Sequence, residues 1–137
     1  ICHLGSGASI TATKDGKCVA TSMGLTPLGG IMMNSRTGDM DPSVFYQIAK
    51  VTGKDVETLF QELNKESGLL GVSGISNDSR DVASAAEKGD VRSKLAMDLW
   101  ARRIADYIGQ YYVRLGGADL IIFSAGMIFP MKIRKQF

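Results

Sequence analysis

The amino-acid sequence predicts an α/β domain. Three observations carry that prediction: a strand-turn-strand pattern at the start, a middle section of capped segments with helical apolar spacing, and a continuous apolar run of strand length near the end. Residues 1 to 4 and 8 to 22 read as strands, with Lys14-Asp15-Gly16-Lys17 as a hairpin turn, because Asp-Gly supplies the positive φ that a two-residue connection needs. Residues 23 to 40 are rich in Gly, Met and Ser with no sustained period, so they predict a long irregular loop of the kind that often carries function.

Helices follow. Asp41-Pro42 is a start signal, with Asp as N-cap and Pro at the first helical position; Val44, Phe45, Ile48 and Val51 supply an apolar face and Gly53 stops it. Val56, Leu59, Phe60 and Leu63 predict a second, short helix that ends at Ser67-Gly68. Asp78 caps a third, running to Lys88 with Gly89 past its end. The longest helix is expected over about 91 to 115 after the cap Asp90, with Val91, Leu95, Leu99, Ile104, Ile108, Tyr112 and Leu115 as its apolar stripe. Trp100 and the tyrosines at 107, 111 and 112 read as packing or subunit contact. Leu120-Ile121-Ile122-Phe123 then reads as a strand buried on both faces.

The chain has 137 residues, enough for one domain that buries roughly 65 to 70% of its unfolded surface. No apolar run approaches the ~20 residues of a membrane span, and no secretory signal opens the chain, so the expectation is a cytoplasmic protein without a membrane partner. The net charge of +2 comes from Lys132, Arg134 and Lys135 in an acid-free end, which removes the argument for a nucleic-acid partner. Cys2 and Cys18 form no metal-type pair and are expected to be buried thiols on neighbouring strands. The chain does not begin with Met, and position 1 is read as a cut point in something longer.

His3-Leu4-Gly5-Ser6-Gly7-Ala8-Ser9 suits an anion. Glycines let oxyanions approach backbone N–H groups, and His3 and Ser6 add side-chain donors; a plain tight hairpin explains the same residues. A dinucleotide fingerprint is disfavoured, because Ile10 stands where its third glycine belongs and a strand follows. Arg36 is either a solvated loop residue or a phosphate ligand. Asp39 and Asp41 resemble a metal pair, but Asp41 is better used as a helix cap, so no metal ligand is assigned. Asp78, Ser79 and Arg80 make a capped helix start whose carboxylate and guanidinium also suit a ribose and a base.

Read together, these segments resemble the acetate kinase family. The first is similar to its phosphate-binding loop, H-L-G-N-G-x-S, and the likeness continues through Thr21-Ser22-Met23-Gly24-Leu25-Thr26-Pro27-Leu28, Ser35-Arg36-Thr37-Gly38-Asp39, Ser67 to Gly74, Asn77 to Asp81 and Phe123-Ser124-Ala125-Gly126. The resemblance implies a ribonuclease H-like domain of the actin, sugar kinase and acetate kinase superfamily, a mixed sheet with flanking helices. It implies that residues 1–126 are part of a nucleotide-binding C-terminal domain and that 127–137 form a divergent basic tail, where the family instead continues with a second glycine-rich turn.

The activity implied is acetate + ATP = acetyl phosphate + ADP. Arg36 would be the catalytic residue, and His3, Leu4, Gly5, Ser6, Gly7, Asp78, Ser79, Arg80 and Gly126 would bind ATP or ADP. Magnesium would be held by residues outside this chain. The partners implied are acetate or another short carboxylate, an absent N-terminal domain and a second subunit in the full-length family. Ser6 stands where the family usually has Asn, and Ser79 where it is often larger and apolar, so one side of the adenine slot is expected to be open. The isolated chain is expected to be an incomplete and inactive fragment, through truncation or an altered reading frame. A non-catalytic nucleotide-binding or interaction remnant and a propionate or butyrate kinase are the alternatives.

Overall fold

A computed structural model describes residues 1–126; the tail at 127–137 lies outside the described residues. Three strands open the chain: β1 (Cys2–Leu4), β2 (Ala8–Lys14) and β3 (Lys17–Thr21). Asp15 and Gly16 both have positive φ in the β2–β3 turn, as the Asp-Gly pair requires. After the loop come α1 (Pro42–Thr52), α2 (Val56–Lys65), α3 (Gly68–Ser73), α4 (Ser79–Glu87), α5 (Val91–Leu115) and the short strand β4 (Phe123–Ser124). The sheet order is β3-β2-β1-β4, antiparallel except where β4 runs parallel to β1. It is a mixed sheet with helices packed against it, as expected: α5 lies on β2, and α3 and α4 pack on α5.

Period-two burial turns Cys2 and Leu4 of β1 and Ala8, Ile10 and Ala12 of β2 to one side, where Ile31, Met33, Leu69, Val82, Trp100 and Ile104 close the core over them. Asp41, Asp55, Asp78 and Asp90 each cap a helix by accepting a hydrogen bond from a backbone N–H of the first turn.

Four expectations need correction. The stripe assigned to α5 is displaced: Val91, Leu95, Leu99 and Tyr112 are exposed, and the buried face is Ser93, Ala96, Trp100, Ile104 and Tyr111. Small residues near its start let α3 and α4 approach closely, so Ser93 and Ala96 lie inside. The strand expected over 120 to 123 is only Phe123–Ser124, with Leu120, Ile121 and Ile122 exposed beside β1, although Ile122 O accepts from Cys2 N at 2.7 Å. Cys2 is buried but Cys18 is exposed, and β2 separates their strands. Finally, α1 buries no residue, so its apolar face only leans on α2.

Candidate functional site

Between the β1–β2 connection and the start of α4 lies a cleft of about 570 Å³ lined by Gly5, Ser6, Gly7, Asn34, Ser35, Arg36, Asn77, Asp78, Ser79, Arg80 and Gly126. Eight of these were singled out from the sequence, and the fold brings them into one concavity from both ends of the chain.

One wall is the glycine loop and the segment after the first hairpin. Met33 N donates to Arg36 O at 3.1 Å, which closes a tight turn and presents the arginine. Asn34 N donates to Ser6 O at 3.3 Å and joins the two loops. On the other side, Leu69 N and Leu70 N at the start of α3 donate to Met33 O and Asn34 O, both at 2.9 Å. Those are first-turn N–H groups with no partner inside their own helix, so the loop itself caps α3, and Ser67 makes no side-chain cap. Ser67 N to Ser35 O at 2.9 Å and Thr37 N to Leu63 O at 3.1 Å complete the fastening.

The Arg36 guanidinium reaches the glycine loop. A Cβ placed on Gly7 would stand 3.3 Å from Arg36 Nη1, so the absence of a side chain at Gly7 leaves the space that the guanidinium uses. Arg36 Nη1 also lies 3.6 Å from Met33 Sδ, and among the described residues Arg36 makes no ion pair. A half-buried cation with weak internal partners beside exposed backbone is suited to an anion. Asp39 steadies the loop from behind: Oδ1 accepts from Gly30 N at 2.7 Å, and Oδ2 accepts from the Tyr107 hydroxyl of α5. Burial first, then the Asp39 carboxylate, pushes the Tyr107 hydroxyl well above its usual pKa.

The other wall is the start of α4. Asp78 Oδ1 accepts from Arg80 N at 2.9 Å as the cap, and the Arg80 guanidinium folds back on both carboxylate oxygens. The side-chain bonds from Arg80, then its backbone N–H, hold the Asp78 pKa down at about 2. Ser79 is buried, with 4% of its surface exposed.

Two residues of the expected site stand apart. Leu4 is fully buried, so its side chain belongs to the core and only its backbone borders the loop. His3 is exposed on β1 and is not among the lining residues; its Nδ1 pairs with Ser124 Oγ at 3.1 Å, and its Nε2 sits where a Cβ on Gly5 would come within 3.4 Å. The ring thus braces the loop against β4. Asn34, Ser35 and Asn77 line the cleft in addition to the residues expected from the sequence. Asn34 gave no local signal, because only the folded chain sets it beside Ser6.

Asp78 is the one acidic residue among the lining residues, and Arg80 occupies both its oxygens. No group of three or more His, Cys, Asp or Glu residues gathers among the described residues. The cleft's own donors therefore do not fit a magnesium ion, whereas its amides and guanidinium fit a phosphate.

A mixed α/β fold whose cleft brings a glycine loop together with an arginine suits the class of phosphate-handling proteins. Within that class the chain belongs to the acetokinase family, whose model matches residues 1–129. It is 52% identical over 127 residues to an acetate kinase of Acholeplasma laidlawii, and 51% identical over 126 residues to one of Shouchella clausii. These matches cover 93% and 92% of this chain but 32% of each relative, so the chain spans about a third of their length. Among solved structures, Porphyromonas gingivalis acetate kinase superposes with a TM-score of 0.84 at 42% identity, over 86% of this chain and 30% of that one. A Francisella tularensis propionate kinase gives 0.80 at 47% identity, over 82% and 29%. Among the described residues no helix is long and apolar enough to cross a membrane.

Proposed function

We propose that residues 1–126 form the nucleotide-binding part of the C-terminal domain of an acetate kinase-type phosphotransferase. The observation that carries this reading is the convergence of the glycine loop, Arg36 and the 78–80 turn on one cleft. In the reaction, a carboxylate oxygen of the acid attacks the γ-phosphorus of ATP in line, the bond to the β-phosphate oxygen breaks, and ADP leaves with its electron pair. Charge spreads over the equatorial oxygens of the transferring group. Arg36 donates to those oxygens, and the amides of Gly5 to Gly7 hold the adjoining phosphates. The 78–80 turn meets the nucleoside: the carboxylate accepts from ribose hydroxyls and the guanidinium stacks on the base once their mutual pair opens. Since the neighbours act on acetate and on propionate by name, the substrate class is a short alkyl carboxylate.

Magnesium neutralises phosphate charge in such transfers, and any protein ligands for it come from outside the described residues. Positioning from two domains supplies most of the acceleration, so this chain alone turns over little acetyl phosphate. The test is complementation with the remaining two-thirds of a family chain, supplied as a separate polypeptide. Activity should return with the unmodified chain and fall roughly 10³-fold or more with Arg36→Ala. If both recover equally, Arg36 has no catalytic role; if neither recovers while ADP still binds, the non-catalytic reading replaces this one.

A further inference from the structure

Helix α3 is held at both ends by distant parts of the chain. Its six residues are too few for a helix to persist on its own, so its position depends on what grips it. At its start, Leu69 N and Leu70 N reach Met33 O and Asn34 O, carbonyls of the turn that presents Arg36. At its end the grip comes from Arg92, in the first turn of α5, whose Nε donates to Val72 O at 2.8 Å and whose Nη2 donates to Gly71 O at 3.1 Å. Carbonyls of a last turn have no partner inside their own helix, and a cation there also suits the negative end of the helix dipole. Gly74 closes α3 with φ +72, and a Cβ on it would stand 3.2 Å from Arg92 Nη1, so the missing side chain leaves the guanidinium its seat. In its own helix the charge is misplaced: a basic residue in the first turn opposes the α5 dipole, and among the described residues Arg92 makes no ion pair. Its use lies in α3.

We infer that Arg92 is a positioning residue for Arg36, acting through α3 from outside the cleft. It is not among the lining residues, and its hydrogen bonds go to α3 alone. The line of contacts runs from the guanidinium to Gly71 and Val72, along α3 to Leu69 and Leu70, and across to Met33 and Asn34; Met33 N then donates to Arg36 O at 3.1 Å. Without the grip at its far end, α3 moves more freely and the Arg36 turn loses fixed donors. A charge that must align with a transferring group loses much of its effect from a shift of about 1 Å. The inference rests on the phosphotransferase reading above and adds a residue that reading does not use.

The experiment is a double-mutant cycle in the complemented enzyme. Arg92→Ala is expected to lower kcat about tenfold while KM for ATP changes less than about twofold, and Arg92→Lys, which keeps the charge and one donor, to recover part of the loss. Added to Arg36→Ala, Arg92→Ala should cost nothing more, because its effect passes through the residue already removed. Additive losses overturn the inference, since a merely structural residue lowers both backgrounds alike; so does an unchanged kcat in Arg92→Ala. If Arg36→Ala alone leaves activity intact, the catalytic role of Arg36 fails and the inference with it. A second measurement needs no activity. In amide hydrogen exchange of the chain alone, Arg92→Ala should speed the Leu69 and Leu70 amides about tenfold and leave those of Trp100 and Ile104 in α5 unchanged. Equal protection of Leu69 and Leu70 in both chains overturns the inference whether or not the enzyme is reconstituted.

Discussion

The two walls of the cleft are built on different physics. On the Arg36 wall, the chain from Met33 to Thr37 is fastened by backbone hydrogen bonds to the glycine loop, to the end of α2 and to the start of α3. On the opposite wall, Asp78 and Arg80 satisfy each other in an ion pair whose arginine side chain is 83% exposed. Backbone fastening fixes where a charge sits, which a group aligned with a transferring phosphoryl requires. A surface pair between flexible side chains opens at little cost, which would suit the proposed contact with a ribose and a base. Rigidity is thus concentrated where reacting atoms would lie.

The largest break in that contrast is expected from Gly68→Ala. Gly68 has φ +62, and a Cβ there would stand 2.2 Å from Met33 O and 2.8 Å from Arg36 O. A methyl group has to displace the turn that presents Arg36, and the substitution also strains a left-handed residue. Destabilisation above about 3 kcal/mol is expected by urea denaturation. An unchanged midpoint would show that the Arg36 wall is soft and remove the distinction between the walls.

Tyr107→Phe probes the same wall more gently. It removes the hydroxyl that Asp39 accepts while keeping the ring, which packs edge-on against Tyr111 at 5.6 Å. Asp39 keeps its bonds to Gly30, so the expected loss is about 1 kcal/mol. In a complemented enzyme the loss should appear in kcat more than in KM for the nucleotide, because the arginine loop loosens while the opposite wall stays intact. A drop confined to KM would place the effect on the wrong side of the cleft.

Much of the molecule was legible because its signals are local. Asp41, Asp78 and Asp90 carry cap signals and cap their helices through their own side chains, and Asp15-Gly16 signals a turn and forms one. What the sequence does not signal depends on distant partners. Helix α3 carries no side-chain cap of its own because residues 33 and 34 accept its free N–H groups, so no local motif announced it. The buried face of α5 departs from its apolar stripe because Ser93 and Ala96 are buried by the approach of other helices, while Leu95 and Leu99, one position from Ala96 and Trp100, stay outside. At the cleft, motif order marks the glycine loop, Arg36 and the 78–80 turn, and the fold sets them around one cavity. Asn34 sits in an irregular stretch, and its place beside the glycine loop exists only in three dimensions.

The smallest effect should come from Arg80→Ala, and it is read by titration rather than by melting. Asp78 is held at about 2 against an ordinary 3.8, chiefly by side-chain bonds from Arg80 and next by the backbone N–H of the same residue. A carboxyl whose folded pKa is depressed adds stability that is complete above its unfolded value and disappears as pH falls through the folded one. For Asp78 that window runs from about 4 down to about 2. Removing the guanidinium deletes the larger cause and leaves the backbone one. The Asp78 midpoint, followed by carboxyl carbon chemical shift, should therefore rise toward 3.8 without reaching it, with stability at neutral pH little changed for so exposed a pair. A midpoint that stays near 2 would mean that the backbone cap alone holds the carboxylate. That outcome would make this wall as firmly fixed by its main chain as the one that presents Arg36.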